Sequence, residues 1–134
     1  LRWRPRLFQV EACGRNHPAT FLCVGRSPRY GGGFSVTPGA SLDRPEFEVA
    51  IVNVPTRARM AALLYEAFRG GLEPHPPEVT FVRTTTVRAS GAPVAVQADG
   101  DLAGTLPARF SLASSGIDVL VPPGATSAAA NRSL

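Results

Sequence analysis

The sequence predicts a mainly β fold, an antiparallel β-sandwich with one packed α-helix. Short apolar segments are separated by Gly, Pro and Asp, which is typical of antiparallel strands. A single segment instead repeats its apolar residues at helical spacing, and the chain contains no internal repeat. The 134 residues suffice for one domain with a core of its own.

The strand pattern is clearest in two places. Phe8, Val10 and Ala12 fall on one face of an alternating segment, and the turn-rich residues 14–18 then predict a hairpin. From Val49 onward a later strand is apolar at nearly every position, which predicts cover on both of its faces. The segments predicted as strands are residues 7–13, 19–24, 34–37, 47–54, 79–89, 93–98, 108–112 and 117–121.

The helix is predicted between Thr56 and Arg69. Thr56 is a good N-cap residue, and Gly70 and Gly71 end the segment after a cation that suits the helix dipole. Its apolar positions are typical of a helix docked on a sheet, although a partner-binding helix has the same pattern. They are Met60, Leu63, Leu64, Ala67 and Phe68.

Charge and cysteine content narrow the classes of function. The formal charge of +4 comes from arginine alone, and these arginines are scattered, as on a solvated surface. Trp3 and Tyr30 lie beside arginines, but two aromatic residues do not form a stacking platform, so no nucleic-acid partner is predicted. Cys13 and Cys23 lie in apolar segments and are predicted to be reduced, buried thiols of a cytoplasmic protein.

Two short motifs have both a structural and a chemical interpretation. Asp99-Gly100-Asp101 is an ordinary hairpin turn by composition, but it also presents two carboxylates able to bind a metal or accept a proton. The glycine-rich residues 29–34 suggest a phosphate loop, yet they lack its Gly-Lys-Ser/Thr ending and a following helix. A tight structural connection is therefore favoured for that loop. His17 and His75 have no metal-ligand spacing.

Several motifs, taken in order, resemble the C-terminal domain of the bacterial diacylglycerol kinase and sphingosine kinase-like lipid kinases. The similarity extends from about Arg6 to Pro122. The motifs are Phe21–Gly25, Tyr30–Phe34, Thr37–Asp43, Phe47–Val49, Val94–Asp101, Pro107 and Ile117–Pro122.

This resemblance implies a sandwich domain over residues 1–122 and a nucleotide-binding N-terminal domain that this chain lacks. The small and polar residues 123–134 predict a loose tail. It implies transfer of the γ-phosphate of ATP, with Mg²⁺, to a lipid hydroxyl at the membrane surface. Asp99 and Asp101 would then be catalytic, one as general base, and Gly100 would allow close approach of the nucleotide. The isolated chain is expected to be inactive, and the whole protein to lie at the inner membrane face.

Two positions depart from the family pattern. Asp101 stands where the family usually has Glu, which withdraws the carboxylate by one methylene. The family's metal loop reads Leu-Asp-Asp-Gly, but here it reads Leu42-Asp43-Arg44-Pro45. Asp43 remains the candidate metal ligand, with Arg44 in place of the expected carboxylate, so a metal-free loop is favoured.

Other hypotheses remain open at this point. The chain could be a non-catalytic homologue that binds anionic lipid or a protein, or an unrelated β-sandwich with a chance Asp-Gly turn. An unrelated sandwich would have no helix packed on its sheet at residues 56–69, and Asp99 and Asp101 would lie away from any cleft. Diacylglycerol, a sphingoid base, a phospholipid or a polyprenol could be the acceptor, and a homodimer is left open.

Overall fold

The computed structural model describes residues 5–116, which form two antiparallel sheets, a separate hairpin and a helix. One sheet has the strand order β2-β1-β6-β9, the other has the order β3-β4-β5, and β7 pairs with β8. This architecture confirms the mainly β class with one helix. The elements are β1 (Phe8–Ala12), β2 (Arg15–Ala19), β3 (Phe21–Gly25), β4 (Phe47–Val52), α1 (Arg57–Arg69), β5 (Val79–Thr84), β6 (Thr86–Gly91), β7 (Ala95–Ala98), β8 (Asp101–Thr105) and β9 (Ala108–Ser111).

Strand β4 takes part in both hydrophobic cores of the molecule. Val49 and Ile51 belong to the core between the two sheets, where they meet side chains of β1 and β6. Ala50 and Val52 point the other way, into the core between the three-stranded sheet and α1. Because successive side chains of a strand face opposite sides, the uninterrupted apolar sequence is what this position requires. The prediction that this strand is covered on both faces is confirmed.

Helix α1 forms where the sequence predicts it and packs on the three-stranded sheet. The Thr56 backbone is extended, and its Oγ1 accepts a hydrogen bond of 3.2 Å from the Arg59 N–H, as in a standard N-cap. At the other end, the Gly70 N–H donates to the Glu66 carbonyl over 3.1 Å. The helix buries Met60, Leu63 and Ala67, three of the five positions expected to face the sheet.

The first hairpin is tighter than the sequence suggested. Residues 14–18 were expected to form its turn, but the chain reverses at Cys13-Gly14, where φ is +52° and +71°. Two central residues with positive φ make the type I′ turn that suits the strand twist. Residues 15–19 then return as β2, and its Pro18 is tolerated because β2 is an edge strand. Residues 21–25 pair with β4 in the other sheet instead.

The two cysteines have different environments, and both are free. The expectation that Cys13 is buried is wrong: because it occupies the hairpin turn, it is exposed, and its Sγ lies 3.3 Å from the Arg83 carbonyl. Cys23 is partly buried against the core under α1, and burial raises the pKa of its thiol to about 11. The prediction of a buried thiol therefore fits Cys23, which is partly buried, and not Cys13.

Three further strand expectations differ from the structure. Residues 79–89 were predicted as one strand, but the chain passes from one sheet to the other at Thr85, between β5 and β6. Residues 34–37 form no strand; Phe34 makes one bridge to Tyr30, and the buried Val36 and Thr37 continue as a loop. Strand β8 was not foreseen, since every one of its residues is exposed. The predicted strand 117–121 and tail 123–134 lie outside the described residues.

Polar contacts hold the flank of α1. The Glu66 Oε1 accepts a 3.0 Å hydrogen bond from the Glu73 N–H and lies 3.0 Å from His75 Nε2. Burial raises the pKa of Glu66, but these hydrogen bonds outweigh it and leave the pKa below its ordinary value. On the neighbouring turn, the Arg59 Nη2 lies 2.6 Å from Glu78 Oε2, and this contact lowers the pKa of Glu78.

Truncating the buried face of α1 will destabilise the domain far more than truncating the next residue. Leu63 is 2% exposed and Leu64 is 40% exposed, so the two variants truncate the same type of side chain at a buried and at a partly exposed position. Leu63→Ala is expected to lower the free energy of unfolding by about 2–5 kcal/mol. Leu64→Ala should cost about 1 kcal/mol or less. Urea denaturation followed by circular dichroism measures both, and equal losses would contradict the packing described.

Acid is expected to remove the contribution that Glu66, at the flank of α1, makes to the stability of the fold. The folded-state pKa of Glu66 lies below its unfolded value, so its contribution is complete above the ordinary glutamate pKa of about 4.3 and is lost as pH falls through the folded value. Glu66→Gln should therefore show a flatter decline in stability below that pH. Urea midpoints from neutral pH down to acid pH, for wild type and variant, test this. Parallel curves would show that Glu66 adds no pH dependence.

Candidate functional site

The two predicted catalytic carboxylates lie on the turn of the β7–β8 hairpin. Asp99 and Gly100 are its two central residues, with φ of +49° and +101°, and Asp101 begins β8 opposite Ala98. These angles define a type I′ turn, for which Asp-Gly is a preferred dipeptide. The turn therefore presents Asp99 and Asp101 to solvent at the end of a hairpin. The structural and the chemical interpretations of this motif are compatible.

Gln97 connects this turn to the glycine-rich loop, and sequence reasoning did not single it out. Its Nε2 donates a 2.8 Å hydrogen bond to the Gly100 carbonyl. Its Oε1 accepts a 2.8 Å hydrogen bond from the Tyr30 hydroxyl, which lies 67 residues earlier in the chain. The amide side chain therefore holds the acidic turn from one side and the loop from the other. Gln97 is exposed near the end of β7, and its sequence context does not distinguish it from other polar residues on the surface.

The glycine-rich loop, residues 29–34, is a tight bridged connection attached to α1. The Tyr30 N–H donates to the Phe34 carbonyl over 2.7 Å, and the Phe34 N–H returns to the Tyr30 carbonyl over 3.1 Å. The Phe34 ring lies 5.5 Å from the Phe68 ring, and the Ser35 N–H donates to the Ala67 carbonyl over 2.9 Å. The loop thus fixes the Tyr30 hydroxyl with respect to the helix.

The hairpin itself projects from the sandwich. A bulge interrupts its register between Val96 and Gln97, and Gly104 on the opposite strand has a φ of +142°. The base is closed by the Leu106 N–H, which donates to the Val94 carbonyl over 2.9 Å. Beyond that base, all residues of β8 are exposed, including Leu102 at 77%. Bulges commonly redirect a strand next to a site, and this one redirects the hairpin just before its acidic turn.

The loop that contains Asp43 is held by buried charged groups of the chain itself. Glu48 is buried, and its Oε2 accepts a 2.6 Å hydrogen bond from the Gly39 N–H. Its Oε1 lies 3.9 Å from Arg83 Nη2, which compensates the buried charge. A side chain at Gly39 would collide with the Glu48 carboxylate, so this position requires glycine.

Residues 42–45 do not fit a metal ion. Arg26 Nη2 donates a 2.7 Å hydrogen bond to the Leu42 carbonyl, so a guanidinium already faces a backbone oxygen that a cation would need. The adjacent Arg26 Nε is buried without a hydrogen-bond partner among the described residues. Nowhere between residues 5 and 116 do three or more His, Cys, Asp or Glu side chains gather closely enough to hold a metal, so Asp43 does not cluster with Asp99 and Asp101. Divalent cations are bound by several oxygen ligands, from carboxylates, backbone carbonyls and water, and the Arg26 guanidinium already occupies one of the carbonyls of this loop.

Two surface depressions of the described chain lie away from the acidic turn. One of about 350 Å³ occupies the outer face of the four-stranded sheet, around Glu11, Arg88 and Arg109. A smaller one, of about 220 Å³, lies beside the Cys13 turn. Asp99 and Asp101 line neither of them. Within residues 5–116, the side chains of the acidic turn are exposed and belong to neither depression.

Comparison with known proteins finds a matching family, two related sequences and a solved structure with the same fold. Residues 1–121 match the family described as the YegS C-terminal NAD kinase beta sandwich-like domain. The chain is 28% identical over 124 residues to the diacylglycerol kinases of two Mycobacterium tuberculosis strains, CDC 1551 / Oshkosh and ATCC 25618 / H37Rv. The crystal structure of a proposed diacylglycerol kinase from Bacillus anthracis str. Sterne has the same fold, with a TM-score of 0.61 and 16% identity, over 78% of this chain and 37% of that one.

These matches cover most of this chain but less than half of each relative. The alignment with the Mycobacterium tuberculosis kinases covers 90% of this chain but 40% of each relative, so the chain spans less than half of their length. The interpretation as an unrelated sandwich with a chance turn is wrong, since α1 packs on the sheet and the family match covers nearly the whole chain. The chain belongs to the YegS C-terminal NAD kinase beta sandwich-like domain family, and is related to the C-terminal domains of diacylglycerol kinase-like lipid kinases, as its motifs predicted.

Proposed function

We propose that this chain is the acceptor-side domain of an ATP-dependent lipid kinase that phosphorylates a diacylglycerol-like hydroxyl. The observation that carries the proposal is the acidic turn, which projects from the sandwich and is held by Gln97 to a loop fixed on α1. A carboxylate at a fixed position is what proton removal from an alcohol requires. The relationship to diacylglycerol kinases supports a lipid alcohol as the acceptor.

The proposed step is an in-line phosphoryl transfer. The lipid hydroxyl oxygen forms a bond to the γ-phosphorus of ATP as the bond from that phosphorus to the bridging oxygen breaks, releasing ADP. The hydroxyl proton passes to the carboxylate of Asp99 or Asp101, which later returns it to water. ATP bound with Mg²⁺ supplies the phosphoryl group and neutralises its charge. Gly100, with no side chain, leaves room for the phosphates beside the turn.

A second domain is part of this proposal. Both carboxylates are exposed in the described chain, and a base surrounded by water gains little from its position. A nucleotide-binding domain closing over the turn would exclude water and bring ATP to the acceptor. We therefore expect the 134-residue chain alone to transfer no phosphate, and expect the whole protein to work at the inner face of the membrane.

A second candidate function is supported by the loop that contains Asp43. Arg26 bonds the Leu42 carbonyl and Arg44 follows Asp43, so two guanidinium groups lie at this loop where related kinases were expected to bind a metal. A homologue that has lost catalysis and binds anionic lipid through the same fold would show this change. It differs from the kinase in one measurable respect, because its lipid binding would be independent of Asp99 and Asp101.

Neutralising the acidic turn will separate the two candidates. In the whole protein that contains this chain, Asp99→Asn and Asp101→Asn should each be measured for transfer of labelled phosphate from ATP to dispersed diacylglycerol. Loss of a general base should lower kcat by roughly 10²–10⁴-fold in at least one of them. Asparagine tolerates the positive φ of Asp99, so that turn should be retained.

Glu11→Gln provides the matched control, since Glu11 is an exposed carboxylate on the far sheet and should leave kcat unchanged. Transfer that persists in both turn variants would exclude Asp99 and Asp101 as the base. A folded wild-type protein that phosphorylates none of diacylglycerol, a sphingoid base, a phospholipid and a polyprenol would favour the non-catalytic homologue.

The Tyr30 hydroxyl should matter to the rate through Gln97. Tyr30→Phe removes the hydrogen bond to Gln97 Oε1 and leaves the ring in place, so the turn loses one of its supports. Misplacing a catalytic group slightly should lower kcat by about tenfold, with little change in KM. Ser90→Ala removes an exposed hydroxyl on β6, in the four-stranded sheet, and serves as the control. Equal kcat values for the two variants would show that the Tyr30–Gln97 contact does not position the turn.

A further inference from the structure

Helix α1 has a second apolar face, which the fold leaves uncovered. Leu64, Tyr65 and Phe68, called the α1 patch below, are 40%, 63% and 57% exposed. Their spacing puts them on one side of the helix, next to the face that buries Met60, Leu63 and Ala67. A helix that is apolar on both faces is normally buried on both. We therefore expect another surface to cover this patch.

The charges around the patch indicate what kind of surface it meets. Arg57 begins α1 and Arg69 ends it, and the Arg69 guanidinium lies 6.0 Å from the centre of the Tyr65 ring. The only acidic residue of α1, Glu66, is on the helix flank and bonds the Glu73 N–H and His75 instead. The exposed apolar face thus has the Arg69 cation at its edge and no carboxylate of its own. Such a face is complementary to an apolar layer with negative headgroups.

The patch is also continuous with the candidate site. Phe68 contacts Phe34, and Phe34 closes the loop whose Tyr30 hydroxyl bonds Gln97 beside the acidic turn. Tyr30 is itself 45% exposed, and the neighbouring Arg29 is exposed. Tyrosine and arginine combine an apolar body with a polar end, and both are favoured at a membrane interface. A lipid hydroxyl lies at that interface, so the surface next to a site that reaches it must face the bilayer.

We propose that the α1 patch docks the domain on an anionic lipid bilayer, with Leu64, Tyr65 and Phe68 entering the headgroup region and Arg69 contacting lipid phosphates. The choice of a bilayer as the occupant rests on the proposed lipid-kinase function. No helix in residues 5–116 has the length and apolar character needed to cross a bilayer, and α1 lies along the surface with its other face on the sheet. Docking through one exposed helix face is the mode that this geometry allows.

The test is co-sedimentation of the 134-residue chain with phosphatidylcholine vesicles, prepared with and without phosphatidylglycerol, in the absence of ATP and diacylglycerol. Wild type should bind the anionic vesicles, and added salt should weaken binding. Phe68→Ser should weaken it by about tenfold or more, because a large apolar group no longer leaves water. Leu7→Ser is the matched control: Leu7 is 58% exposed beside the other sheet, and its loss should leave binding unchanged. Circular dichroism and thermal unfolding check that each variant is folded.

Four results would overturn the proposal. Wild type could fail to bind anionic vesicles, or Phe68→Ser could bind them as wild type does. Sedimentation velocity could show instead that wild type dimerises and Phe68→Ser is a monomer, which would assign the patch to a second copy. Finally, the whole protein should retain Phe68-dependent binding; if it does not, the rest of the protein covers the patch. Because these assays contain no ATP or acceptor, a failure of docking is distinguishable from a failure of the kinase function.

Discussion

The burial of β4 on both faces is the constraint on which the rest of this structure depends. Val49 and Ile51 close the core between the sheets, while Ala50 and Val52 form the floor under α1. One strand therefore sets the distance between three layers, and a polar residue at any of these four positions would leave a buried group without a partner. Glu48, which precedes Val49 in the same strand, fixes the loop that contains Asp43. The position of the helix, and with it the glycine-rich loop, follows from this strand.

The parts of the fold that the sequence predicted are those governed by local pattern. Helix α1 and the alternating β1 each carry a clear periodicity, and from Val49 onward β4 is a short uninterrupted apolar segment, as expected of a strand covered on both faces. The errors occur where the decisive contact is distant. Nothing near Thr85 shows that the chain changes sheets there, because both halves of residues 79–89 are equally suited to a strand. The Cys13-Gly14 turn was missed since cysteine is not a usual turn residue, and its positive φ is set by the register of β1 with β2.

The candidate site was predictable in its components but not in its assembly. Asp99, Gly100 and Asp101 were identified by motif, and the structure puts them on a turn as their composition indicates. The link through Gln97 to Tyr30 spans 67 residues, and only the folded chain shows it. The loop that contains Asp43 is a similar case: the sequence favoured a metal-free loop because Arg44 replaces the expected carboxylate, and the structure adds a second cation, Arg26, 17 positions before Asp43. The sequence shows a substitution within the motif but not a side chain that reaches the motif from elsewhere.

The positive φ of Asp99 has a consequence for how related sequences should be interpreted. At a φ of +49°, glycine, asparagine and aspartate are the residues that the backbone tolerates well, so folding alone favours aspartate at this position. A homologue that has lost its activity would still be under selection to retain it. Asp101 begins an ordinary strand and carries no such restriction. Under the proposed kinase function, retention of an acidic residue at position 101, rather than at 99, is therefore expected to be the better evolutionary marker of catalysis.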